Sequence, residues 1–193
     1  MTDARPDASP SWHLDTRRMR LRRFRPEDVF DILRLHADAR VTRHLIDTVP
    51  RDLGQGLGYV AWAQGVYARG DAPGPLHACL RDAGVFVGSF SLVRFADTGE
   101  LELGGRLLPA GWGRNLALEG GRALLDHAFA DLGEPAVISL SHPDNRPVAF
   151  ILRRLGFRPD GRVQAYGRQA LRHVIDRDDW QAAKARPPGR RAS

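Results

Sequence analysis

The sequence predicts a single α/β (α+β) domain built on one mixed, mostly antiparallel central sheet with helices on both faces. Three observations lead to this prediction. The chain has 193 residues, which suits one domain and is enough to bury a sizeable core. Strand-like runs come first, and a strand–helix–strand–helix–strand succession follows, which places helices on both faces of one sheet. No internal repeat is visible, which argues against a solenoid or propeller.

The first half of the chain predicts strands, two helices and a hairpin. Alternation of apolar and polar residues indicates strands, and apolar residues spaced three or four apart indicate helices. Clusters of Gly, Pro and Asp indicate turns and loops. The predicted elements, in order, are a strand over 19–24, helices over 27–37 and 57–68, a loop over 71–75, and a hairpin of 76–81 and 85–95 around a turn at 82–84.

The second half of the chain contains the predicted strand–helix–strand–helix–strand succession. Its best helix spans 114–132, where Leu116, Leu124 and Ala128 point one way. Gly120 and Gly121 inside this helix cost about 1 kcal/mol each relative to Ala, which is usually accepted for close packing against a sheet or ligand. The other predicted elements are strands over 100–107 and 136–141, a helix over 147–155 ended by Gly156, and strands over 158–163 and 168–175.

Both ends of the chain are expected to lie outside the domain. Residues 1–12 are polar and contain Pro6 and Pro10, which predicts a disordered segment. Residues 181–193 predict a basic tail, which leaves 13–180 as the folded domain. The first residues have no apolar stretch of the kind found in signal peptides, and no run approaches the ~20 apolar residues of a membrane span. A cytoplasmic location without membrane attachment is therefore expected.

The charge balance favours an anionic small ligand. Lys and Arg total 29 against 23 Asp and Glu, which gives a formal net charge of +6, and Lys184 is the single Lys. Arg is spread along the chain rather than clustered, and no nucleic-acid motif is visible, so no specific nucleic-acid partner is expected. The seven His show no metal-ligand spacing, so no metal is expected.

Two residues attract attention without a strong motif around them. Cys79 lies in a strand-like run and is interpreted as a buried inert thiol, because no neighbour clearly stabilises a thiolate. Trp62 could line an acceptor cleft, but core packing is the preferred interpretation.

The most informative segment joins the strand over 100–107 to the helix that follows. It contains Gly113 and Arg114 immediately before the helix. The first turn of a helix has unpaired N–H groups and a dipole that favours an anion, and Gly allows close approach of a ligand to the backbone. The segment is neither a P-loop nor a dinucleotide fingerprint. The alternative is an ordinary strand-to-helix connection.

This segment resembles the cofactor loop of the GNAT family of acetyl-CoA-dependent N-acetyltransferases, most closely the branch with the ribosomal-protein-alanine acetyltransferases. The family motif is Gln/Arg-x-x-Gly-x-Gly/Ala, often written within Trp-Gly-x-Gly-x-Ala-x-Glu-Ala. The chain has Trp-Gly-Arg-Asn-Leu-Ala-Leu-Glu-Gly over 112–120. Ala110 replaces the family's Gln or Arg, and Asn115 replaces a Gly. Asn tolerates unusual backbone angles better than most residues, which favours a preserved loop.

Further positions extend the resemblance over roughly Leu14 to Trp180. Asn145 and the later Leu155-Gly156-Phe157 match a family Asn and the end of its following helix. The opening run over 16–22 and Pro26-Glu27-Asp28 match the first strand and the start of the first helix. The order and spacing of these matches carry the resemblance.

The resemblance implies acetyl-CoA as co-substrate and implies which residues bind it. Asn145 has a second interpretation as a helix N-cap. Val148 stands where many relatives have a Ser that protonates the departing thiolate, and Ser139, Ser141, His142, Tyr166 or water remain as alternatives. The implied cofactor-binding residues are Leu107, Leu108, Trp112, Gly113, Arg114, Asn115, Leu116, Ala117 and Asn145.

Glu102 is the candidate catalytic base. An amine acceptor must lose a proton, and its ordinary pKa is about 8 for an N-terminus and about 10.4 for Lys, so a carboxylate is a suitable base. Glu100 and Glu102 are two apart on a strand and are expected to share a face. The resemblance places an acidic residue at Glu102, within Glu-Leu-Gly-Gly-Arg. The alternatives are a solvated carboxylate on an exposed face and an ion pair with Arg106.

The function implied is transfer of an acetyl group to a primary amine by direct attack in a ternary complex. The acceptor is a protein N-terminus or a small-molecule amine, and a second copy of the chain is a candidate homodimer partner. The alternatives are a catalytically weak acyl-CoA-binding or regulatory module, suggested by Asn115 and Val148, and a transferase with a longer donor such as succinyl-CoA.

Overall fold

The computed structural model describes residues 12–185 and has one eight-stranded sheet at its centre. The strands are β1 (His13–Asp15), β2 (Met19–Arg23), β3 (Gly74–Leu80), β4 (Phe86–Arg94), β5 (Leu101–Leu107), β6 (Ala136–Ser141), β7 (Arg158–Ala165) and β8 (Arg168–Asp176). They lie in the order β1-β2-β3-β4-β5-β6-β8-β7. Neighbouring strands are antiparallel except β5 and β6, which are parallel. The predicted mixed, mostly antiparallel sheet is confirmed.

Helices cover both faces of the sheet, as predicted. The helices are α1 (Val29–Ala37), α2 (Ala39–Thr42), α3 (Leu53–Arg69), α4 (Leu116–Asp126), α5 (Arg146–Leu155) and α6 (Arg177–Ala185). One face carries α1 and α3, where His77 of β3 pairs with Asp31 of α1 at 2.9 Å. The opposite face carries α4 and α5, where Leu116, Leu124 and Leu155 pack in the core.

Among the described residues, the buried apolar side chains form three clusters, the smallest of which consists of Leu35, Val41, Phe86 and Leu108. The largest cluster lies between the sheet and α4 and α5, and it takes Leu101 and Leu103 of β5. The second cluster lies on the other face near the β7–β8 hairpin and includes Ile138 and Ala165. Glu102 therefore points away from the largest cluster, because successive strand residues face opposite sides of a sheet.

Glu119 fastens α4 to the first strands. Its carboxylate accepts hydrogen bonds from the Thr16 hydroxyl at 2.6 Å and from the Arg18 backbone N–H and Nε, both at 2.7 Å. These contacts lower the pKa of Glu119 against the opposing effect of its burial. They fix the β1–β2 turn against α4, so this motif residue has a structural role.

Several element boundaries differ from the sequence prediction. α4 begins at Leu116 rather than at 114, because Asn115 has left-handed backbone angles, and a π-helical turn over His127–Asp131 follows it. β1 and α2 were not predicted, since three or four residues are too few to show a period. α6 spans Arg177–Ala185, so the first five residues of the predicted tail are helical; the start of α6 buries Trp180.

The outer parts of the predicted terminal segments lie outside the described residues. These are residues 1–11 of the predicted disordered segment and 186–193 of the predicted tail. Among the helices described for residues 12–185, none is long and apolar enough to cross a membrane.

A matched pair of glycines tests the packing of α4. A Cβ added at Gly120 would lie 2.4 Å from the Phe90 ring, whereas one at Gly58 in α3 would meet nothing within 4 Å. Gly120→Ala is expected to lower the free energy of unfolding by about 1–3 kcal/mol through overpacking. Gly58→Ala is expected to raise it by about 0.5–1 kcal/mol through helix propensity.

Urea unfolding followed by circular dichroism measures both changes. A Gly120→Ala variant as stable as Gly58→Ala would show that Phe90 can move aside and that α4 does not depend on close contact with β4.

Candidate active site

β5 and β6 separate soon after they meet. Their registered pairs in the described chain are Leu101 with Val137 and Glu102 with Ile138. Beyond these pairs, β5 continues to Leu107 bonded to β4, and β6 continues to Ser141 bonded to β8. We call the opening between 103–107 and 139–141 the fork. The strand edges that line it do not pair with each other, so they can accept an extended ligand that has its own amide groups.

The segment after β5 leads from the open end of the fork to α4. Leu107 and Leu108 are buried, and a 3₁₀ turn over Pro109–Gly111 follows them. The Trp112 indole N–H donates to the Leu107 carbonyl at 2.8 Å, although the ring is 47% exposed. Trp112 therefore closes the turn with its polar edge and leaves a ring face on the surface.

The backbone before α4 is shaped by two left-handed residues. Gly113 has φ 71° and Asn115 has φ 59°. The Asn115 side chain makes no capping hydrogen bond to the helix. The first-turn N–H groups of Leu116 and Ala117 have no intrahelical acceptor by helix geometry, so they stay available to an anion. Arg114 is exposed beside them.

Asn145 fills the N-cap position of α5. Its side-chain oxygen accepts a hydrogen bond from the Val148 N–H at 3.3 Å. The helix-cap interpretation is thereby confirmed. Asn145 is half-buried after β6. The oxygen keeps a second lone pair and the amide nitrogen keeps its donors, so the cap leaves the side chain able to contact a ligand as well.

Glu102 lies at the closed end of the fork. It is 7% exposed, and its Oε2 accepts a hydrogen bond from the Tyr166 hydroxyl at 2.6 Å. Burial raises the pKa of Glu102 from its ordinary 4.5 to about 7; the nearby Asp47 acts in the same direction, and the Tyr166 hydrogen bond and Arg106 oppose it. The alternative of a solvated carboxylate on an exposed face is wrong.

Arg106 faces the same side of β5 as Glu102 but binds other groups. One guanidinium nitrogen lies 2.7 Å from Oδ2 of Asp47, and another lies 3.0 Å from Nε2 of His36. Burial, with the Arg106 charge, lowers the pKa of His36 to about 4, so this ring is neutral at pH 7. The alternative of a direct Glu102–Arg106 ion pair is therefore wrong, and Asp47 is the carboxylate that balances the guanidinium.

Aromatic residues lie around Glu102 and Arg106, and one of them corrects the sequence interpretation. Trp62 is 48% exposed on α3, so its assignment to the core is wrong. Its ring lies 5.4 Å from that of Tyr59, which in turn lies 6.4 Å from His36. Tyr166 is 48% exposed at the tip of the β7–β8 hairpin. We call the space bounded by Glu102, Arg106, Tyr59 and Tyr166 the acceptor cleft.

Sequence reasoning missed most of the cleft. Sequence reasoning considers Arg106 only as an ion-pair partner of Glu102 and Tyr166 only as a proton donor to the thiolate. Asp47 lies in a loop without a pattern, and Tyr166 is 64 positions from Glu102 in the chain. Only the folded arrangement brings them together.

One group of described residues has metal-ligand spacing that the sequence did not show. Ligand atoms of Asp28, Asp31 and His77 lie within 4.8 Å of one another. Arg22 already binds both oxygens of Asp28, at 2.6 and 2.8 Å. The guanidinium balances the carboxylate charge, so this group is explained as an ion-pair network that joins α1 to β2 and β3.

Comparison with known proteins identifies the family. The model of the acetyltransferase (GNAT) domain matches residues 18–158. The chain belongs to the GNAT acetyltransferase family. It is accordingly an acyl-CoA-dependent acetyltransferase, and the family's co-substrate is acetyl-CoA.

Relatives of this GNAT chain match nearly its whole fold. The uncharacterized N-acetyltransferase p20 of Bacillus licheniformis is 24% identical over 165 residues, which cover 84% of this chain and 91% of the relative. The acetyltransferase from Agrobacterium tumefaciens str. C58 is 25% identical, covers 86% of this chain and 95% of its own, and superposes with a TM-score of 0.75. Mycobacterium smegmatis RimJ, solved in complex with CoA-disulfide, is 18% identical with a TM-score of 0.75, covering 92% and 93%.

The raised pKa of Glu102 makes a prediction about stability. A Glu in the unfolded chain ionises near pH 4.5 and Glu102 in the fold near pH 7, so the unfolded state loses its proton first. The contribution of Glu102 to stability is therefore complete below pH 4.5 and falls as the pH rises to 7. Glu102→Gln removes this titration.

The stability of Glu102→Gln relative to the parent is expected to rise by about 1–3 kcal/mol between pH 4.5 and 8, since one pKa unit corresponds to about 1.4 kcal/mol. Urea unfolding of both proteins at each pH measures the difference, and titrating groups that do not interact with Glu102 cancel in the comparison. A difference that is constant with pH would show that Glu102 titrates normally.

Proposed function

We propose that this protein transfers an acetyl group from acetyl-CoA directly to a primary amine, in a ternary complex with Glu102 as base. The observation that carries the proposal is the position of Glu102: a buried carboxyl at the closed end of the fork that also faces the acceptor cleft. A thioester held in the fork and an amine held in the cleft would meet beside this side chain.

The pKa of about 7 suits Glu102 to its role. A general base works best when its pKa lies near the operating pH, because it is then both available and able to hold the proton. An α-amino group has an ordinary pKa near 8, so transfer of its proton to Glu102 is only slightly uphill. A Lys amine, near 10.4, is a poorer match. This favours a protein N-terminus, or a small amine of similar basicity, as the acceptor.

The CoA contacts are assigned to the loop before α4 and to the fork. The backbone N–H groups of Gly113 to Ala117 supply donors to the pyrophosphate, and Arg114 supplies a cation beside them. Leu107 and Leu108 lead into this loop from the fork, Trp112 presents a ring face, and Asn145 lies beyond β6. The left-handed angles of Asn115 support the enzyme over the inactive binding module, because they provide the backbone that a family Gly would provide.

The departing thiolate requires a proton from another group. Val148 cannot supply one, and burial, with the neighbouring Glu102, raises the pKa of Tyr166 so far that its proton is poorly available. The hydroxyl of Ser141 is buried at the open end of β6 without a hydrogen-bond partner among the described residues. Ser141 or water is therefore the best-placed donor.

Direct attack is preferred to an acetyl-enzyme because Cys79 is badly placed. Cys79 is half-buried on β3, two strands from β5 in the sheet. Adjacent strands are about 4.8 Å apart, so Cys79 lies roughly 10 Å from the β5 backbone.

Substitution of the base tests the reaction. Glu102→Gln is expected to lower kcat/KM at pH 8 by at least about 100-fold, the usual contribution of general base catalysis. CoA thiol release from acetyl-CoA is measured with a panel of α-amino peptides and small amines. Glu100→Gln is the control, since Glu100 lies outside β5 and pairs with Arg172 at 2.6 Å.

Two outcomes would contradict the proposal. Parental turnover in Glu102→Gln would remove Glu102 from the reaction. Tight CoA binding by the parent with no turnover on the whole panel would favour the binding module, and faster turnover with succinyl-CoA would favour the longer donor.

Substitution of Arg114 tests the cofactor loop. A well-formed charge-assisted phosphate contact is worth about 1.5–3 kcal/mol. Arg114→Ala should therefore raise the dissociation constant for CoA by about tenfold or more, with little change in fold stability. Arg122→Ala is the control, because Arg122 is exposed on α4, further from the loop that contains Arg114. Calorimetric titration at one salt concentration measures both, and equal affinities would place Arg114 outside the site.

A further inference from the structure

The β7–β8 hairpin turns on a residue type that its backbone disfavours. Ala165 and Arg168 form the last registered pair, so the turn consists of Tyr166 and Gly167. Both have left-handed backbone angles, with φ 53° and 73°. This is the type I′ turn, whose first position strongly prefers Asn, Asp or Gly. A bulky residue there is strained, and such strain is often associated with a functional side chain.

The Tyr166 side chain reaches back from this turn to the site. Its ring packs 5.9 Å from that of Phe95, and its hydroxyl donates to Oε2 of Glu102 at 2.6 Å. The Tyr166 side chain thus connects the tip of the β7–β8 hairpin to Glu102, at the end of the β5–β6 pairing. Asn at this position would suit the turn but would be too short to make the same contact.

We propose that Tyr166 is a positioning residue for Glu102, holding one carboxylate oxygen so that the other is directed to the acceptor amine. This inference rests on the proposed role of Glu102 as base. The hydroxyl donates to the carboxylate and keeps its own proton, so no bond to hydrogen breaks at Tyr166 when Glu102 accepts a proton from the amine.

The charges around Glu102 explain why a donor is needed there. Burial and the Asp47 carboxylate raise the pKa of Glu102, and the Tyr166 hydrogen bond and the Arg106 guanidinium lower it. Arg106 is already bound to Asp47 and His36, and His36 is neutral. Among the described groups around Glu102, Tyr166 makes the direct contact that favours the ionised form.

Tyr166→Phe removes this contact and keeps the ring. The pKa of Glu102 is expected to rise by at least about one unit, because a hydrogen bond to the charged form is lost. Titration of ¹³C-carboxyl-labelled Glu by NMR measures it without any acceptor, with Glu102→Gln to assign the signal. The acid limb of kcat/KM against pH should move upward by the same amount. Tyr59→Phe removes another hydroxyl from the cleft, one that does not contact Glu102, and should leave the Glu102 titration in place.

Tyr166→Asn separates positioning from packing. Asn suits the left-handed turn, so the free energy of unfolding should not fall, while the Glu102 titration should move upward as in Tyr166→Phe. A loss of stability with an unmoved titration would assign Tyr166 to packing and overturn the inference.

The outcomes also distinguish this inference from the proposed function. Parental titration of Glu102 in Tyr166→Phe, together with an inactive Glu102→Gln, would overturn the role of Tyr166 alone. Retained turnover in Glu102→Gln would overturn the base assignment and the positioning role with it.

Discussion

The short parallel pairing of β5 and β6 is the constraint on which the site depends. Two residue pairs hold the strands together, and beyond them each strand bonds to its outer neighbour alone. Longer pairing would close the fork and leave Glu102 in the middle of a continuous sheet rather than at the end of the pairing. Earlier separation would remove the packing of Ile138 beside Glu102. The transition from paired to separated strands thus sets both the depth of the fork and the position of the carboxyl.

The separation is maintained by α4 and α5, which lie on the same face of the sheet. α4 is held close to β4 by the absence of a side chain at Gly120, where the Phe90 ring occupies the space. Glu119 then ties the same helix to the β1–β2 turn. α5 begins beyond β6, and its Leu155 packs against Gly121 of α4. Since each helix is anchored away from the fork, neither has to move for the strand edges to remain open.

The two carboxylates of the acceptor cleft, Asp47 and Glu102, have different hydrogen-bond partners. Asp47 forms an ion pair with Arg106, whereas Glu102 has a neutral hydroxyl as its direct donor. A buried carboxyl beside a guanidinium would be held ionised at low pKa and would accept a proton poorly. Because Arg106 pairs with Asp47, Glu102 keeps a pKa of about 7 and can take up and release a proton near neutrality.

The sequence predicts the frame of the molecule better than its cleft. Alternation places Leu101 and Leu103 on one face of β5 and Glu102 on the other, and the run 136–141 coincides with β6. The predicted start of α4 is wrong by two residues, because Asn115 has left-handed backbone angles and the helix begins only after it. The pKa of Glu102 depends on burial and on contacts with Tyr166, Asp47 and Arg106, most of them distant in the chain, so no local pattern contains it. The catalytic role that the resemblance implies for Glu102 stays a prediction, and so do the CoA contacts of the loop before α4.

The distribution of backbone strain connects the two halves of the site. Asn115 and Tyr166 are the non-glycine residues with positive φ in the described part of the chain. One shapes the proposed anion site before α4, and the other carries the hydroxyl that contacts Glu102. Residues held in such conformations cost about 1–3 kcal/mol and persist where the surrounding structure fixes them. Gly at 115 would remove the strain and keep the turn, but at 166 Gly would also remove the contact with Glu102. The strain at Tyr166 therefore persists because the side chain is needed there, whereas at Asn115 only the backbone conformation is needed.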